Sequence, residues 1–269
     1  MKLAFIGGGA MAEAMIAGVL RNNVAAPGGI AVSDVADARR KHLQSAYGVS
    51  PFADNAACTR GADLVVLAVK PQNAAEVLAN IKDAVTPKQA VLSIMAGVTI
   101  AAITRGLGKD AVVRAMPNTP GQIGAGMTVW TATSAVTAAQ RDAAAQVLSA
   151  LGKQFPVPEE KYLDVATAVN GSGPAYAFLF IEALIDAGVY LGLARDLARE
   201  LAVQTVLGSA TMVAQSGQHP AVLRDMVASP GGTTVEALLV LEDQGLRATV
   251  MKAVIAAYRK SKSLGEDSK

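Results

Sequence analysis

A short apolar run at the start of the chain, Leu3–Ile6, ends directly on three glycines, and the residues that follow read as the opening of a helix. No other feature of the sequence restricts the fold as much. Gly7-Gly8-Gly9-Ala10-Met11-Ala12 fits the pattern G-x-G-x-x-A, in which each small residue answers a physical demand. Gly7 allows a tight turn out of a strand. Gly9 carries no side chain, so a pyrophosphate can approach the backbone. Ala12 is small enough for a helix to pack close to a sheet. The helix start at Ala10 and Met11 offers unpaired N–H groups and a partial positive charge to phosphates. Strand, turn and helix in this order make a candidate dinucleotide-binding loop, with a plain strand-to-helix turn as the alternative.

The pattern continues through the first half of the chain. Ile30–Ser33, Leu64–Val69, Val91–Ile94, Val112–Met116, Met127–Thr131 and Gln154–Val157 read as strands. Helical patterns lie between them at 10–20, 36–47, 73–81, 99–107 and 137–151. Leu64–Val69 is apolar throughout, as in a strand buried on both faces. Such alternation predicts a mostly parallel sheet with helices on both sides.

The second strand ends at Asp34. A carboxylate there bonds the hydroxyls of an adenosine ribose and repels a 2′-phosphate, which favours NADH. Arg39 and Arg40 follow and could hold that phosphate instead. All three can also be solvated surface charges, so the cofactor is read as NADPH or NADH.

After Pro158 strand-like runs cease. Helical patterns follow at about 161–169, 174–191, 195–216, 220–227, 234–243 and 246–263. These place a domain boundary near Glu159, with residues 1–159 as the cofactor domain and 160–269 as an all-helical domain. The tail, Glu266–Lys269, reads as frayed. The most apolar stretch, 175–192, carries Glu182 and Asp186, which would be costly in lipid. A buried helix or subunit interface is the better expectation, and no membrane partner is implied. The apolar run at the N-terminus is too short for a secretory leader.

Composition removes several kinds of chemistry. With 24 basic and 22 acidic residues the formal net charge is +2, and aromatic residues make up 4%. Neither a basic surface nor stacking platforms for nucleic acid are indicated. One cysteine and two histidines exclude an internal disulfide framework and a Cys/His metal cluster, so no metal site is expected. A reducing, cytoplasmic setting fits this cysteine usage.

Four more segments complete a set. They are Val69-Lys70-Pro71-Gln72, Met116-Pro117-Asn118-Thr119-Pro120, Gly171-Ser172-Gly173-Pro174-Ala175-Tyr176 and Ser229-Pro230-Gly231-Gly232-Thr233-Thr234. In this order, together with the first glycine loop, they resemble the pyrroline-5-carboxylate reductases over nearly the whole chain. The resemblance implies an N-terminal Rossmann doubly wound sheet and a C-terminal helical dimerisation domain similar to that of 6-phosphogluconate dehydrogenase. It implies hydride transfer from NADPH or NADH to the C=N carbon of 1-pyrroline-5-carboxylate, giving L-proline. It also implies a homodimer with interlocked helical domains, often built into a decamer, and an active site shared between subunits. By resemblance, Asn55, Ala68, Val69, Lys70, Pro71, Met116, Pro117 and Asn118 line the cofactor site, and Gly173 lies near the nicotinamide. Position 170 departs from the family, with Asn170 where serine is more frequent.

Ser229–Thr234 resembles the family's substrate loop. Gly231 and Gly232 let backbone approach a ligand. Thr233 and Glu236 fit a capping box, so a helix should begin there with its N–H groups facing the substrate carboxylate. A well-capped helix start with no other role is the blander reading. Thr234 could place its hydroxyl on the ring nitrogen and is the candidate catalytic residue. His219, before Pro220, is expected to be structural.

In this reading the protein aligns two rings and holds a carboxylate, which is catalysis by proximity and electrostatics. Two other classes remain. A related hydroxy-acid dehydrogenase would need a lysine in the long helix, and Pro174–Leu191 has none. A cofactor-sensing regulator would not need the carboxylate loop.

Overall fold

The structure, a computed structural model, describes residues 1–266. The end of the expected frayed tail, 267–269, lies outside the described residues. The described residues form two compact units, one comprising Met1–Ser172 with residues 256–266, the other Gly173–Ile255.

The first unit holds eight strands: β1 (Leu3–Ile6), β2 (Ile30–Ser33), β3 (Ser50–Phe52), β4 (Leu64–Leu67), β5 (Ala90–Ser93), β6 (Val112–Met116), β7 (Gly126–Ala132) and β8 (Gly152–Pro156). Their order across the sheet is β3-β2-β1-β4-β5-β6-β7-β8. Neighbours are parallel except β6 and β7, which run antiparallel. The strand order reverses between β1 and β4, so the loops after those two strands diverge and leave a crevice, the usual ligand position in an open α/β sheet.

Both faces of the sheet are covered. Leu3 and Phe5 of β1 belong to one apolar core, with Ile16, Val32, Leu43 and Leu92. Ala4 and Ile6 belong to the other, with Val65, Leu67, Leu78 and Ile103. Side chains alternate in direction along a strand, so a strand buried on both faces must be apolar at every position. Each fully buried Leu, Ile or Phe adds about 1.5–3 kcal/mol to this core. The helices on the two faces are α1 (Ala10–Arg21), α2 (Asp37–Tyr47), α3 (Asn55–Thr59), α4 (Ala74–Ile81), α5 (Ile100–Leu107) and α6 (Ala138–Ser149). β3 and α3 were not expected from the sequence.

α7 (Lys161–Ala166) leads into a π-helical turn, Thr167–Gly171. Glu160, just before α7, receives hydrogen bonds at one carboxylate oxygen from the Arg114 guanidinium (2.6 Å) and the Ile100 N–H (2.8 Å). Arg114 is buried on β6, so this ion pair satisfies its charge inside the fold.

The second unit is helical, as expected: α8 (Gly173–Tyr190), α9 (Arg195–Ser216), α10 (Pro220–Met226), α11 (Thr233–Asp243) and the start of α12 (Leu246–Glu266). It has almost no interior of its own. Ala198 and Ala202 are its only buried residues among those described, while Phe178, Leu207, Leu239 and Met251 are all more than half exposed. Contiguous apolar surface on this scale marks an interaction face. The segment Lys161–Tyr190 is long and apolar enough to cross a membrane, by length and composition only.

Candidate functional site

The crevice at the carboxyl ends of β1–β4 opens into a cleft of about 730 Å³. Gly7 and Gly9 line it from the loop after β1, Asp34 from the end of β2, Asn55 from the start of α3, and Ala68, Val69 and Lys70 from the loop after β4. Seven of the sequence-predicted cofactor residues therefore meet in one place.

Backbone geometry explains the glycines. Gly7 sits at φ +96°, and a Cβ there would lie 2.7 Å from the Ala68 carbonyl oxygen. Only glycine allows the turn and the close approach of β1 to the β4 loop. Gly9 caps α1 in an extended conformation with no side-chain cap. A Cβ on it would meet nothing within 4 Å. The first N–H groups of α1, which a helix cannot bond internally, have no side-chain cap and fit a diphosphate. Behind them Ala12 is buried, while Ala10 and Met11 form the first turn. The cleft therefore has the parts that a dinucleotide needs.

Asp34 is held in place by the backbone. Its Oδ2 accepts from the Gly8 N–H at 2.9 Å and its Oδ1 from the Ala36 N–H at 2.9 Å. The Asn55 side-chain oxygen accepts from the Ser33 hydroxyl at 2.7 Å, which leaves the amide nitrogen as a donor at the cleft wall. Asp54 caps α3 by accepting from the Ala56 N–H. Lys70 is exposed, and Pro71 opens a single 3₁₀ turn before α4. Cys58 lies buried on α3, and burial pushes its thiol up to about 12, so it supplies no thiolate.

Met116, Pro117 and Asn118 follow β6, two strands beyond β4, and do not line this cleft. They form a second cluster with the π turn. The Asn118 amide donates to the Asn170 side-chain oxygen at 2.8 Å, and Asn118 Oδ1 accepts from the Met127 N–H at 2.9 Å. Asn170 in turn donates to the Met127 carbonyl at 2.9 Å. A Cβ on Gly171 would lie 3.1 Å from the Met116 methyl group, so the π turn packs directly on the end of β6.

In the helical unit, Gly173 and Pro174 open α8, as expected. Ser229–Thr234 leads into α11, and Gly231 adopts φ +69°. The expected capping box does not form. Gly232 is the N-cap, with no side-chain cap, and Thr233 is already the first helical residue. Gly232 takes the cap because its carbonyl accepts the first helical bond, from the Val235 N–H at 3.1 Å, which places the helix start one residue earlier than a Thr233 cap would. The half-buried Thr234 follows on the first turn. His219 caps α10, its Nδ1 accepting from the Ala221 N–H at 3.2 Å, a structural use of the ring.

One cluster was not found from the sequence. Glu13 on α1 pairs with Arg39 of α2. It also bonds His42 Nε2 at 2.7 Å and accepts from the Tyr47 hydroxyl at 3.0 Å. Burial alone would raise the Glu13 carboxyl, but the hydrogen bonds from His42, Arg39 and Tyr47 outweigh it and bring the pKa to about 2.

Comparison with known proteins agrees along the whole chain. Residues 160–264 match a family model described as pyrroline-5-carboxylate reductase dimerisation. Residues 2–97 match one described as NADP oxidoreductase, coenzyme F420-dependent. The chain is 44% identical over 266 residues to the pyrroline-5-carboxylate reductase of Synechocystis sp., covering 99% of both chains. It is 38% identical to the Escherichia coli enzyme, covering 98% of each. A solved pyrroline-5-carboxylate reductase from Coxiella burnetii superimposes with a TM-score of 0.92 at 39% identity, covering 98% of each chain. A Plasmodium falciparum pyrroline carboxylate reductase with NADP bound gives 0.89 at 35% identity, again covering 98% of each.

Proposed function

The chain belongs to the pyrroline-5-carboxylate reductase family, and from that membership we propose how its residues divide the work. It reduces 1-pyrroline-5-carboxylate to L-proline with NADPH or NADH, the last step of proline biosynthesis. The observation that carries the assignment of the cofactor site is the cleft at the β1/β4 reversal, where the uncapped start of α1 and the carboxylate of Asp34 line the same wall.

The cofactor, when bound, supplies a hydride to the imine carbon. Gly7, Gly9, Ala10, Met11 and Ala12 form the phosphate-binding turn, Asp34 holds the ribose, and Asn55, Ala68, Val69, Lys70 and Pro71 flank it. Met116, Pro117 and Asn118 position the reacting end through the Asn118–Asn170 contact. In the helical unit, Ser229, Gly231, Gly232 and Thr233 present the N–H groups of α11 to the substrate carboxylate, and Gly173 supports them at the start of α8. The Thr234 hydroxyl contacts the ring nitrogen and holds it for protonation. A protonated imine draws the hydride, so orientation and charge stabilisation suffice without a histidine or cysteine acid.

The helical unit belongs to a homodimer, because its apolar faces lack an interior. Assembly of dimers into a decamer is a further part of this reading. Glu182 and Asp186 on α8 favour a protein partner over lipid for the same surface. The single buried cysteine suits the reducing cytoplasm. Isothermal titration with L-proline in the presence of oxidised cofactor tests the assignment. Saturable proline binding that is lost in Thr234→Ala and in Gly232→Val supports the loop as the carboxylate site. Undiminished binding in both variants removes it.

A further inference from the structure

Two arginines follow the ribose end of the cleft, and each already has an acidic partner. Arg39 donates through Nε to the Gly8 carbonyl and through Nη2 to Glu13. Arg40 donates to the carbonyls of Asp34 (2.6 Å) and Val35 (3.2 Å) and pairs with Asp37 at 3.0 Å. Neither guanidinium lines the cleft, whereas the Asp34 carboxylate does. The hold on Arg39 is strong because Glu13 is itself fixed from two further directions, by His42 and Tyr47.

We propose that this chain selects NADH over NADPH, and that Glu13 is a selectivity residue because it keeps Arg39 engaged on α1. A 2′-phosphate would bring roughly two negative charges to the end of β2, where Asp34 is the charged side chain that lines the cleft, while Lys70 lines it from the loop after β4. Like charges at that range repel, and the two arginines that follow β2 are matched, Arg39 by Glu13 and Arg40 by Asp37. A 2′-hydroxyl, by contrast, donates to Asp34 without cost. The inference rests on the dinucleotide reading of the cleft.

The test is binding, with no substrate present. Dissociation constants for NADH and NADPH are measured by nucleotide fluorescence on the wild-type protein and on the variants Glu13→Gln and Arg39→Gln. The wild type should bind NADH at least roughly tenfold more tightly. Glu13→Gln should narrow that ratio several-fold by strengthening NADPH alone. Arg39→Gln should leave the ratio unchanged, since a matched arginine adds nothing to phosphate binding. Equal or tighter NADPH binding by the wild type overturns the proposal. So does a selective loss of NADPH affinity in Arg39→Gln, which remains informative if Glu13→Gln fails to fold. Absence of binding by either nucleotide has a different signature: it removes the cofactor reading of the cleft, and the selectivity proposal with it.

Discussion

Asn118 and Asn170, 52 positions apart, meet side chain to side chain at 2.8 Å, and both also bond the backbone of Met127. The loop after β6, the start of β7 and the π turn are thereby joined by two amides. Asn170→Ala leaves the Asn118 amide and the Met127 carbonyl without these partners. Each lost bond between these half-buried groups costs about 1 kcal/mol. We predict a lower urea midpoint and a fall in kcat/KM of roughly tenfold or more, carried mainly by kcat. Wild-type values for both quantities would show that the contact positions nothing.

The two outer glycines of the first loop should fail in different ways. Gly7→Ala places a Cβ at φ +96° within 2.7 Å of a backbone oxygen, so it should lower the melting temperature and abolish dinucleotide binding. Gly9→Ala meets no atom and should melt within a few degrees of the wild type. Its methyl group nevertheless fills the space that a diphosphate needs, so binding should weaken by roughly tenfold or more. Calorimetry with either nucleotide, beside thermal melts, separates the two.

Arg114 is buried and its charge is met by Glu160 at 2.6 Å. Removing one partner of such a pair leaves an uncompensated buried charge, at a cost of about 3–5 kcal/mol. Glu160→Ala should therefore destabilise the protein far more than loss of a surface pair, for example in Lys161→Ala, whose partner Glu159 is exposed. Urea unfolding of both variants checks the difference.

Glu13 gives the fold a defined acid response. Its carboxyl is ordinary at 4.5 when unfolded and falls to about 2 in the fold. The stabilisation is complete above pH 4.5 and is lost as pH drops toward 2, where the unfolded chain binds the proton first. Wild-type stability should therefore decline through this window more steeply than that of Glu13→Gln. Parallel denaturation curves for the two proteins between pH 5 and 2 would contradict the shift.

The sheet was legible because its strands are apolar at consecutive positions and glycine or proline marks their ends, as in Leu3–Ile6 before Gly7. β3 was not, since Ser50–Phe52 is three residues long and contains Pro51, which is tolerated only because the strand lies at the sheet edge. α3 is too short to show a helical period. The reversal at β7 was readable in principle. Residues 117–125 are too few for the crossover that a parallel neighbour requires.

Of the cleft's lining, Gly7, Gly9 and Asp34 were legible in the local sequence, whereas Asn55, Ala68, Val69 and Lys70 were expected from the family resemblance. Asn170 was visible only as a departure from the family pattern, and its partner Asn118 could not be inferred from spacing. The Glu13–Arg39–His42–Tyr47 cluster joins two helices through charges that each look like surface residues when read alone. The capping box at Thr233 was misread because Gly232, one position earlier, takes the cap by a backbone bond that leaves no side-chain signature.

The most direct measurement follows NAD(P)H absorbance in purified protein with 1-pyrroline-5-carboxylate, with proline quantified in the same samples. Stoichiometric cofactor oxidation and proline formation, reduced at limiting cofactor in Gly9→Ala and strongly reduced in Thr234→Ala, is the expected result. A folded protein that binds a nucleotide but forms no proline with either cofactor would contradict the assignment.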